Sequence, residues 1–214
     1  MSKKLLIIGA GNIGGFISYN SALFGDYEVL GFLDDDPAKT NKVLYGNKVL
    51  GAVNTIDKYL ENDPLCVVIG IANPVFKSKI AKTLAGKNVD FPNFIAPNVW
   101  ISNKVGLGRG IILYPGVSIN YECILQDFVI MNMNCAIGHN CTISEYSTLA
   151  PGVNLAGFTK IMPCGDIGIG ATTIQGITVG SNSRIGGQSM LIKDVPDNSV
   201  AVGNPSRIIR KLDQ

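Results

Sequence analysis

Residues 125–155 read LQDFVI MNMNCA IGHNCT ISEYST LAPGVN L, and an aliphatic residue recurs at nearly every sixth position. The same spacing continues in both directions, from Ile101 to Leu191, without an insertion. Of these sixteen positions fourteen are Ile, Leu or Val, and only Met131 and Thr173 depart. A period of six does not fit the 3.6-residue repeat of an amphipathic helix.

A second register follows the first by four residues, from Val105 to Val195, and holds only Val, Ile, Cys, Ser, Thr, Ala or Gly. Two interlocked registers of this kind indicate the hexapeptide repeat of a parallel β-helix. Each hexapeptide forms one flat side, and three hexapeptides form a triangular coil whose neighbours pair through backbone hydrogen bonds. Residues 101–196 therefore predict a little over five coils with aliphatic side chains inside.

The composition narrows the classes of function that remain open. The 214 residues carry 18 Lys and Arg against 16 Asp and Glu, so the net charge is +2. This balance argues against a nucleic-acid binder or a polybasic membrane binder. The single histidine, His139, excludes metal sites that are built from several histidines.

The five cysteines indicate neither a disulfide framework nor a zinc site, because their number is odd and no CxxC pair occurs. Cys123, Cys135 and Cys141 fall in the small-residue register, where we interpret them as small core hydrophobes. Cys164 lies outside both registers. The N-terminal run Leu5–Ile8 is too short for a signal peptide or a membrane span. We therefore expect a cytoplasmic protein with free thiols.

The N-terminal segment follows a different pattern, in which short apolar runs alternate with helical stretches. Leu5–Ile8 precedes the motif GAGNIG at residues 9–14, which predicts a strand, a tight turn and a helix starting near Asn12. Further strands are predicted at Glu28–Leu33 and Cys66–Gly70, with a helix at Phe76–Leu84. This alternation is typical of a small parallel α/β unit.

This unit has the features of a nucleotide site. Its glycines would let backbone N–H groups approach a phosphate at the helix N-terminus. Asp34, at the end of the second strand and 20 residues after Gly14, could accept hydrogen bonds from a ribose or a base edge. NAD fits less well, since a segment of about 90 residues has room for one mononucleotide half. A glycine turn that only packs the helix on the strand is the structural alternative.

The combination of such a unit with hexapeptide coils resembles the PglD/NeuD-type sugar-nucleotide acetyltransferases over essentially the whole chain. The stretch DVPDNSVAVGNPSR at residues 194–207 is typical of hexapeptide acyltransferases generally. Asn132–Gly157 is more discriminating, because it looks like the family's catalytic segment and aligns His139 with the catalytic histidine. The resemblance implies a Rossmann-like sugar-nucleotide-binding domain at 1–94 and a left-handed β-helix acyltransferase domain at 95–214.

The resemblance also implies roles for individual residues. His139 would be the general base, Asn140 would orient its ring, and the N–H of Gly157 would hold the thioester oxygen. Repeat arithmetic agrees, because Gly157 lies one coil after His139, roughly 5 Å away. The implied acetyl-CoA contacts are Thr148, Gly157, Ile169 and Gly187. The implied contacts to the sugar nucleotide are Gly11, Asn12, Ile13, Asp34, Asp35, Gly70 and Asn132.

The implied reaction acetylates the amino group of a UDP- or dTDP-linked amino-deoxy sugar in bacterial glycan biosynthesis. Acetyl-CoA is the co-substrate, no covalent intermediate forms, and neither a metal nor NAD takes part. The family packs as homotrimers with active sites between subunits. O-acetylation of a sialic-acid-like sugar and a non-catalytic nucleotide-sugar-binding trimer are the alternatives.

Three residues depart from the family's pattern. An acid often follows the catalytic histidine, but Asn140 stands here, and an amide stabilises an imidazolium less than a carboxylate does. The base is then weaker, or an acid from elsewhere, such as Glu145, assists it. Ile13 and Thr148 replace histidines of the family model, which bears on substrate preference and binding strength.

Overall fold

The computed structural model describes residues 2–212, which form two compact units. One unit contains the chain up to Ala72 together with Phe76–Phe94. The other contains Asn73–Val75 and the chain from Ile95 onward. No helix within residues 2–212 is both long and apolar enough to span a membrane.

A six-stranded sheet organises the N-terminal unit. In chain order the elements are β1 (Lys3–Ile8), α1 (Asn12–Asn20), β2 (Tyr27–Leu33), β3 (Val43–Leu44), β4 (Asn47–Gly51), β5 (Leu65–Ile69), α2 (Pro74–Leu84) and β6 (Val89–Asp90). Short 3-10 helices occur at Ser21–Leu23, Pro37–Lys39 and Val53–Tyr59. The strand order is β3-β4-β2-β1-β5-β6. The pairs are parallel except for β3 with β4, and the central strands β1 and β5 carry the buried aliphatic residues of the core.

The hairpin of β3 and β4 was not predicted from the sequence. Tyr45 and Gly46 connect its strands, and both have positive φ, at 49° and 80°. A two-residue hairpin of type I′ requires positive φ at both positions. Because tyrosine seldom adopts this conformation, the turn lacks the Asn-Gly or Asp-Gly signal by which such hairpins are recognised.

The second unit is a three-sided parallel β-helix. Its first face contains Phe94–Ile95, Ile112–Leu113, Ile130–Met131, Thr148–Leu149, Asp166–Ile167, Arg184–Ile185 and Ser199–Val202, with Arg207–Lys211 added antiparallel at the end. Its second face contains Trp100–Ile101, Ser118–Ile119, Ala136–Ile137, Asn154–Leu155, Thr172–Thr173 and Met190–Leu191. Its third face contains Gly106–Leu107, Ile124–Leu125, Thr142–Ile143, Lys160–Ile161 and Thr178–Val179.

The corners of the β-helix reveal a third register. Every sixth residue from Lys104 to Gln188 has a positive φ, so one left-handed residue turns the chain at each corner. Gly and Asn are frequent there because they adopt this conformation at low cost. Cys164 lies in this corner register, which explains why it falls outside the other two. The aliphatic register points inward as predicted, and Ile119 and Ile137 are both buried.

The predicted order of a parallel α/β unit followed by a parallel β-helix is confirmed. The β-helix extends beyond the predicted residues 101–196. Phe94–Ile95 adds a strand before them, because Ile95 continues the aliphatic register one step earlier. Ser199–Val202 pairs with Arg184–Ile185 although it lies off that register, so the spacing did not reveal it.

Candidate functional site

Side chains from successive coils meet at the edge between the second and third faces. This edge, called edge 2–3, comprises residues 120–123, 138–141 and 156–159. Because Tyr121, His139 and Gly157 are each 18 residues apart, they lie above one another. The imidazole of His139 stacks on the Tyr121 ring, with 5.4 Å between centroids and 11° between planes. The Phe158 ring meets the imidazole edge-on at 5.1 Å. The two aromatic rings thus hold the histidine in one orientation.

A hydrogen-bond relay fixes the tautomer of His139. Asn140 Nδ2 donates to Glu122 Oε2 at 2.9 Å, and a carboxylate can only accept. The Asn140 amide oxygen therefore faces the ring, where it lies 2.9 Å from Nδ1 of His139. The proton consequently resides on Nδ1, and Nε2 keeps a free lone pair. The arrangement leaves Nε2 available as a base.

Gly157 provides the space that the imidazole occupies. A Cβ built on Gly157 would lie 2.8 Å from both Cε1 and Nε2 of His139. The Gly157 nitrogen in turn lies 2.6 Å from where a Cβ of Gly138 would stand. No hydrogen bond of the Gly157 N–H occurs within residues 2–212. A base and an unpaired backbone donor are therefore adjacent, which is the pairing that acyl transfer requires.

Glu122, Tyr121 and Phe158 were missed by the sequence analysis, although the 18-residue spacing could have found the first two. Glu122 lies 18 residues before Asn140, and Tyr121 lies 18 residues before His139. Glu145, which was expected to assist the base, lies instead at the corner between the third and first faces. Its carbonyl accepts from the N–H of Cys164. The acid that reaches the relay is Glu122.

The remaining predicted residues of the β-helix lie elsewhere on it. Asn132, Ile169 and Gly187 belong to the edge between the first and second faces, called edge 1–2, which comprises residues 132–134, 150–152, 168–170 and 186–188. Ile169 is 55% exposed, and its Cγ2 lies 3.0 Å from where a Cβ of Gly187 would stand. Thr148 lies on the first face and is buried. Within one chain, the width of the second face therefore separates these residues from His139.

A pocket of about 520 Å³ in the N-terminal unit brings together all six predicted residues of that unit. These residues are Gly11, Asn12, Ile13, Asp34, Asp35 and Gly70. The pocket lies at the N-terminus of α1, whose first turn has no side-chain cap. Lys39 adds a cation to the lining. Uncapped N–H groups at a helix N-terminus together with a cation suit a phosphate.

The glycines in and beside this pocket have different roles. A Cβ on Gly14 would overlap the Gly9 carbonyl oxygen, and one on Gly70 would lie 2.8 Å from the Gly14 nitrogen. These glycines let the turn pack tightly. A Cβ on Gly11 would instead meet no atom within 4 Å, so packing does not require a glycine there. The open space at Gly11 is where a ligand could approach the backbone.

Both acids of the pocket accept hydrogen bonds from neighbouring parts of the fold. Asp34 accepts hydrogen bonds from the backbone N–H groups of Ala10 and Asp36 and from Lys39 Nζ, at 2.8, 3.0 and 2.9 Å. Burial alone would raise the pKa of Asp34, but Lys39 and the two N–H groups outweigh it and lower that pKa. Asp35 accepts from the N–H of Val53. Asp34 thus anchors the loop between β1 and α1 as an ionised carboxylate.

The described residues contain no cluster of three or more His, Cys, Asp and Glu side chains arranged to hold a metal ion. Three of the buried thiols follow the small-residue register in the β-helix core. They are Cys123, Cys135 and Cys141. Burial raises the pKa of Cys135 to about 11, so its thiol stays protonated at neutral pH.

Comparison with known proteins places these features in a family context. Residues 4–84 match the family model of the PglD N-terminal domain. The chain is similar to the acetyltransferase domain of PglB from Neisseria gonorrhoeae FA1090, with 28% identity and a TM-score of 0.90 over 97% of this chain and 100% of that one. That domain has also been solved in complex with acetyl coenzyme A.

A second solved structure is PerB from Caulobacter crescentus in complex with CoA and GDP-perosamine. It shares 25% identity and a TM-score of 0.86, and the match covers 97% of both chains. A curated relative, a serine acetyltransferase of Bacillus pumilus, is 33% identical over 108 residues. That match covers 47% of this chain and 48% of the relative, so the chain spans about half the relative's length.

The two full-length matches confirm the resemblance and the left-handed β-helix expected from the sequence. The chain is therefore similar over nearly its whole length to acetyltransferases of this type, and residues 4–84 match the PglD N-terminal domain.

Proposed function

We propose that this protein transfers the acetyl group of acetyl-CoA to the amino group of a nucleotide-linked amino-deoxy sugar. The observation that carries the proposal is the closeness of His139 to Gly157, where an added Cβ would lie 2.8 Å from Nε2, together with the hold of Asn140 on Nδ1. The PerB structure, which contains CoA and GDP-perosamine, supports the class of substrate.

In this reaction His139 acts as the general base. The neutral amine attacks the thioester carbonyl carbon, a C–N bond forms, and Nε2 of His139 takes a proton from the amine nitrogen. The Asn140–Glu122 relay disperses the positive charge that develops on the ring. When the C–S bond breaks, the imidazolium returns the proton to the CoA thiolate. These reaction steps balance without a covalent enzyme intermediate.

The N–H of Gly157 would stabilise the negative oxygen of the tetrahedral intermediate. That N–H makes no hydrogen bond within the described part of the chain, so it can donate to this oxygen without breaking another contact. Such a donor contributes most as charge develops, because a fixed dipole needs no reorganisation. Gly138 leaves the space in which the oxygen would lie.

The N-terminal pocket would hold the nucleotide. A phosphate would approach Gly11 and the N–H groups of Asn12 and Ile13 at the start of α1. Asp35 would accept from the base or ribose, while Asp34 and Gly70 shape the loops. UDP, dTDP and GDP sugars share these phosphates and differ in the base, and dTDP also lacks the 2′-hydroxyl of the ribose.

Acetyl-CoA would lie along edge 1–2, over Ile169 and Gly187, with Thr148 as a further contact. Asn132, on the same edge, would contact the sugar. Because edge 1–2 and edge 2–3 are separated within one chain, a second copy must bring its edge 1–2 to His139. We therefore propose a homotrimer with active sites between subunits. Sedimentation equilibrium would give three times the 22.7 kDa chain mass if this is correct, and a monomer with full activity would contradict it.

The test of the function is an acetylation assay on the purified chain with acetyl-CoA. Its arms are UDP-, dTDP- and GDP-linked amino-deoxy sugars with the amine at C3 or at C4, each paired with the corresponding hydroxy sugar. We expect turnover with amino sugars of one nucleotide series and none with the hydroxy partners. Turnover of the hydroxy sugars alone would establish O-acetylation instead.

His139→Ala supplies the mechanistic arm of this assay. Loss of a general base lowers kcat by about 10²- to 10⁴-fold. Glu145→Gln, at a different corner of the β-helix, is the control and should leave the rate unchanged. Undiminished acetylation by the His139→Ala chain would exclude the proposed mechanism.

A further inference from the structure

The backbone ladder of the β-helix changes its pattern beside Gly157. On the second face, the amide that follows each strand donates to a backbone carbonyl of the next coil. These bonds are Ser102 to Ile119, Asn120 to Ile137, Gly138 to Leu155 and Ile174 to Leu191. In the intervening coil, the N–H of Ala156 donates instead to the side-chain Oγ1 of Thr173, at 3.0 Å. A hydroxyl has therefore replaced a carbonyl at this one step.

The hydroxyl belongs to a closed ring of hydrogen bonds. Thr159 Oγ1 donates to the carbonyl oxygen of Ala156 at 2.7 Å, which uses its only proton. In the 3.0 Å contact between the two hydroxyls, Thr173 must therefore donate to Thr159. The ring runs from the Ala156 N–H through Thr173 and Thr159 and returns to the Ala156 carbonyl. Both hydroxyls are buried, Thr159 at 0% and Thr173 at 8% exposure.

The ring determines the orientation of the peptide group between Ala156 and Gly157. In a planar trans peptide the C=O of one residue and the N–H of the next point in opposite directions. The Ala156 oxygen is held toward the core by the Thr159 hydroxyl and by the Cys141 thiol, at 2.7 and 3.3 Å. The N–H of Gly157 therefore points away from the core. Hydrogen bonds to a carbonyl also polarise the N–H of the same peptide group.

The hydroxyl of Thr173 is unusual because it occurs in the aliphatic register of the sequence. Fourteen of the sixteen residues in the aliphatic register are Ile, Leu or Val, and Met131 is the other exception. A threonine there buries a polar group where a valine of the same shape would not. The packing of the core therefore offers no reason for this residue. Its hydroxyl contacts Ala156, the residue immediately before Gly157.

We propose that Thr173 and Thr159 are positioning residues of the acetyl transfer, which orient and polarise the Gly157 N–H that receives the developing oxyanion. The inference rests on the proposed function, in which that N–H is the oxyanion donor. Neither threonine touches the substrate. Each acts through the Ala156–Gly157 peptide, so its loss should lower kcat while the KM values stay unchanged.

The test compares Thr173→Val and Thr159→Val, which remove one hydroxyl each and keep the β-branched shape, with Thr173→Ser, which keeps the hydroxyl. Ser183→Ala is the matched control, because it removes a buried hydroxyl at a different corner of the β-helix, where Ser183 bonds Pro196 and Ser199. For each full-length chain, kcat and both KM values are measured with acetyl-CoA and the amino sugar nucleotide that gives the highest wild-type rate.

Removal of an entire oxyanion donor costs about 10²- to 10³-fold in kcat. Because the donor remains but is no longer fixed, we expect each valine variant to lose about ten-fold in kcat. Thr173→Ser should recover to within about two-fold of wild type, and Ser183→Ala should match wild type. The thermal midpoint of Thr173→Val should fall no further than that of Ser183→Ala, since each variant removes the hydroxyl acceptor of one backbone N–H.

Wild-type kcat in both valine variants would overturn the inference, as would an equal loss in Ser183→Ala. A crystal structure of the Thr173→Val chain gives a reading that does not depend on turnover. An Ala156–Gly157 peptide that keeps its orientation there also overturns the inference. Absence of turnover by the wild-type chain on every sugar would refute the proposed function, and that structure would still decide the role of the ring.

Discussion

The Asn140 amide bridges His139 to Glu122, with 2.9 Å on each side, and Glu122 belongs to the preceding coil. A carboxylate thus reaches the histidine through an amide rather than by direct contact. The left-handed corner at Asn140, with φ of 56°, favours asparagine over most residues. We therefore propose that this acid, one coil away, compensates for the absence of an acid directly after His139.

Replacement of Glu122 tests this relay. In Glu122→Gln the shape is kept but the negative charge is lost, so the relay stabilises the imidazolium less. We expect kcat to fall on the order of ten-fold with little change in KM. Steady-state kinetics of acetyl transfer measures this, and a Glu122→Gln chain with the wild-type rate would show that the carboxylate plays no part.

Restoring the acid of the family at position 140 should be harmful in this chain. Asn140→Asp would place a second carboxylate against Glu122, and like charges in contact repel. We expect kcat to fall several-fold in the single variant. In the double variant Asn140→Asp with Glu122→Gln the repulsion is gone, and kcat should return to within about two-fold of wild type. Additive losses in the double variant would contradict the contact between the two side chains.

Gly157 is a second point at which the structure makes a sharp prediction. In Gly157→Ala the new methyl would collide with the imidazole at 2.8 Å and displace it. A misplacement of about 1 Å can cost about 10²-fold in rate, so we expect at least that loss in kcat. Gly106→Ala is the control, since its Cβ would meet only Ile124, at 4.0 Å. Equal activity of the two variants would contradict the assigned contact.

The glycine loop offers a prediction that separates ligand approach from packing. Gly11→Ala meets no atom within 4 Å, so the thermal midpoint should match wild type. The added methyl would occupy the ligand space, and KM for the sugar nucleotide should rise about ten-fold. Gly14→Ala overlaps the Gly9 carbonyl and should destabilise the N-terminal unit outright. Unchanged KM in the Gly11→Ala chain would remove Gly11 from the nucleotide site.

The fold could be predicted because the six-residue period of the β-helix is visible in the order of its side chains. Inward aliphatic residues recur every six positions, and no helix or ordinary sheet produces that spacing. The left-handed corner register was not predicted, because Lys104, Glu122 and Phe128 are of residue types that rarely have a positive φ. Only its Gly and Asn members indicate this conformation in the sequence. The β3–β4 hairpin was missed for the same reason at Tyr45.

The site was predictable only in part. The 18-residue arithmetic brings His139 and Gly157 together because coil stacking converts sequence spacing into distance. The ring through Thr173 and Thr159 could not be predicted, because it depends on hydroxyl directions and on one broken step of the ladder. The Asn140–Glu122 bond likewise depends on the conformations of two side chains at a corner.

The ionisation of Asp34 makes the stability of the N-terminal unit depend on pH. Lys39 and two backbone N–H groups hold the pKa of Asp34 below its ordinary value despite burial. A carboxyl whose pKa is depressed by folding stabilises the protein above its unfolded pKa of about 3.9, and that contribution is lost as pH falls through the lower folded pKa. At neutral pH, Asp34→Asn should lower the free energy of unfolding by about 1–3 kcal/mol, because three donors lose an ionised acceptor.

Urea unfolding of the wild-type and Asp34→Asn chains between pH 7 and pH 2.5 measures this difference in the free energy of unfolding. The gap between wild type and Asp34→Asn should be constant from pH 7 to about pH 5. It should narrow progressively below about pH 4, as the pH falls through the lowered pKa of the folded carboxyl. Asp57→Asn, which removes an exposed ion pair with Lys87, is the control and should cost little at any pH. A gap that is as large at pH 2.5 as at pH 7 would mean that the shape of Asp34, rather than its charge, holds the loop between β1 and α1.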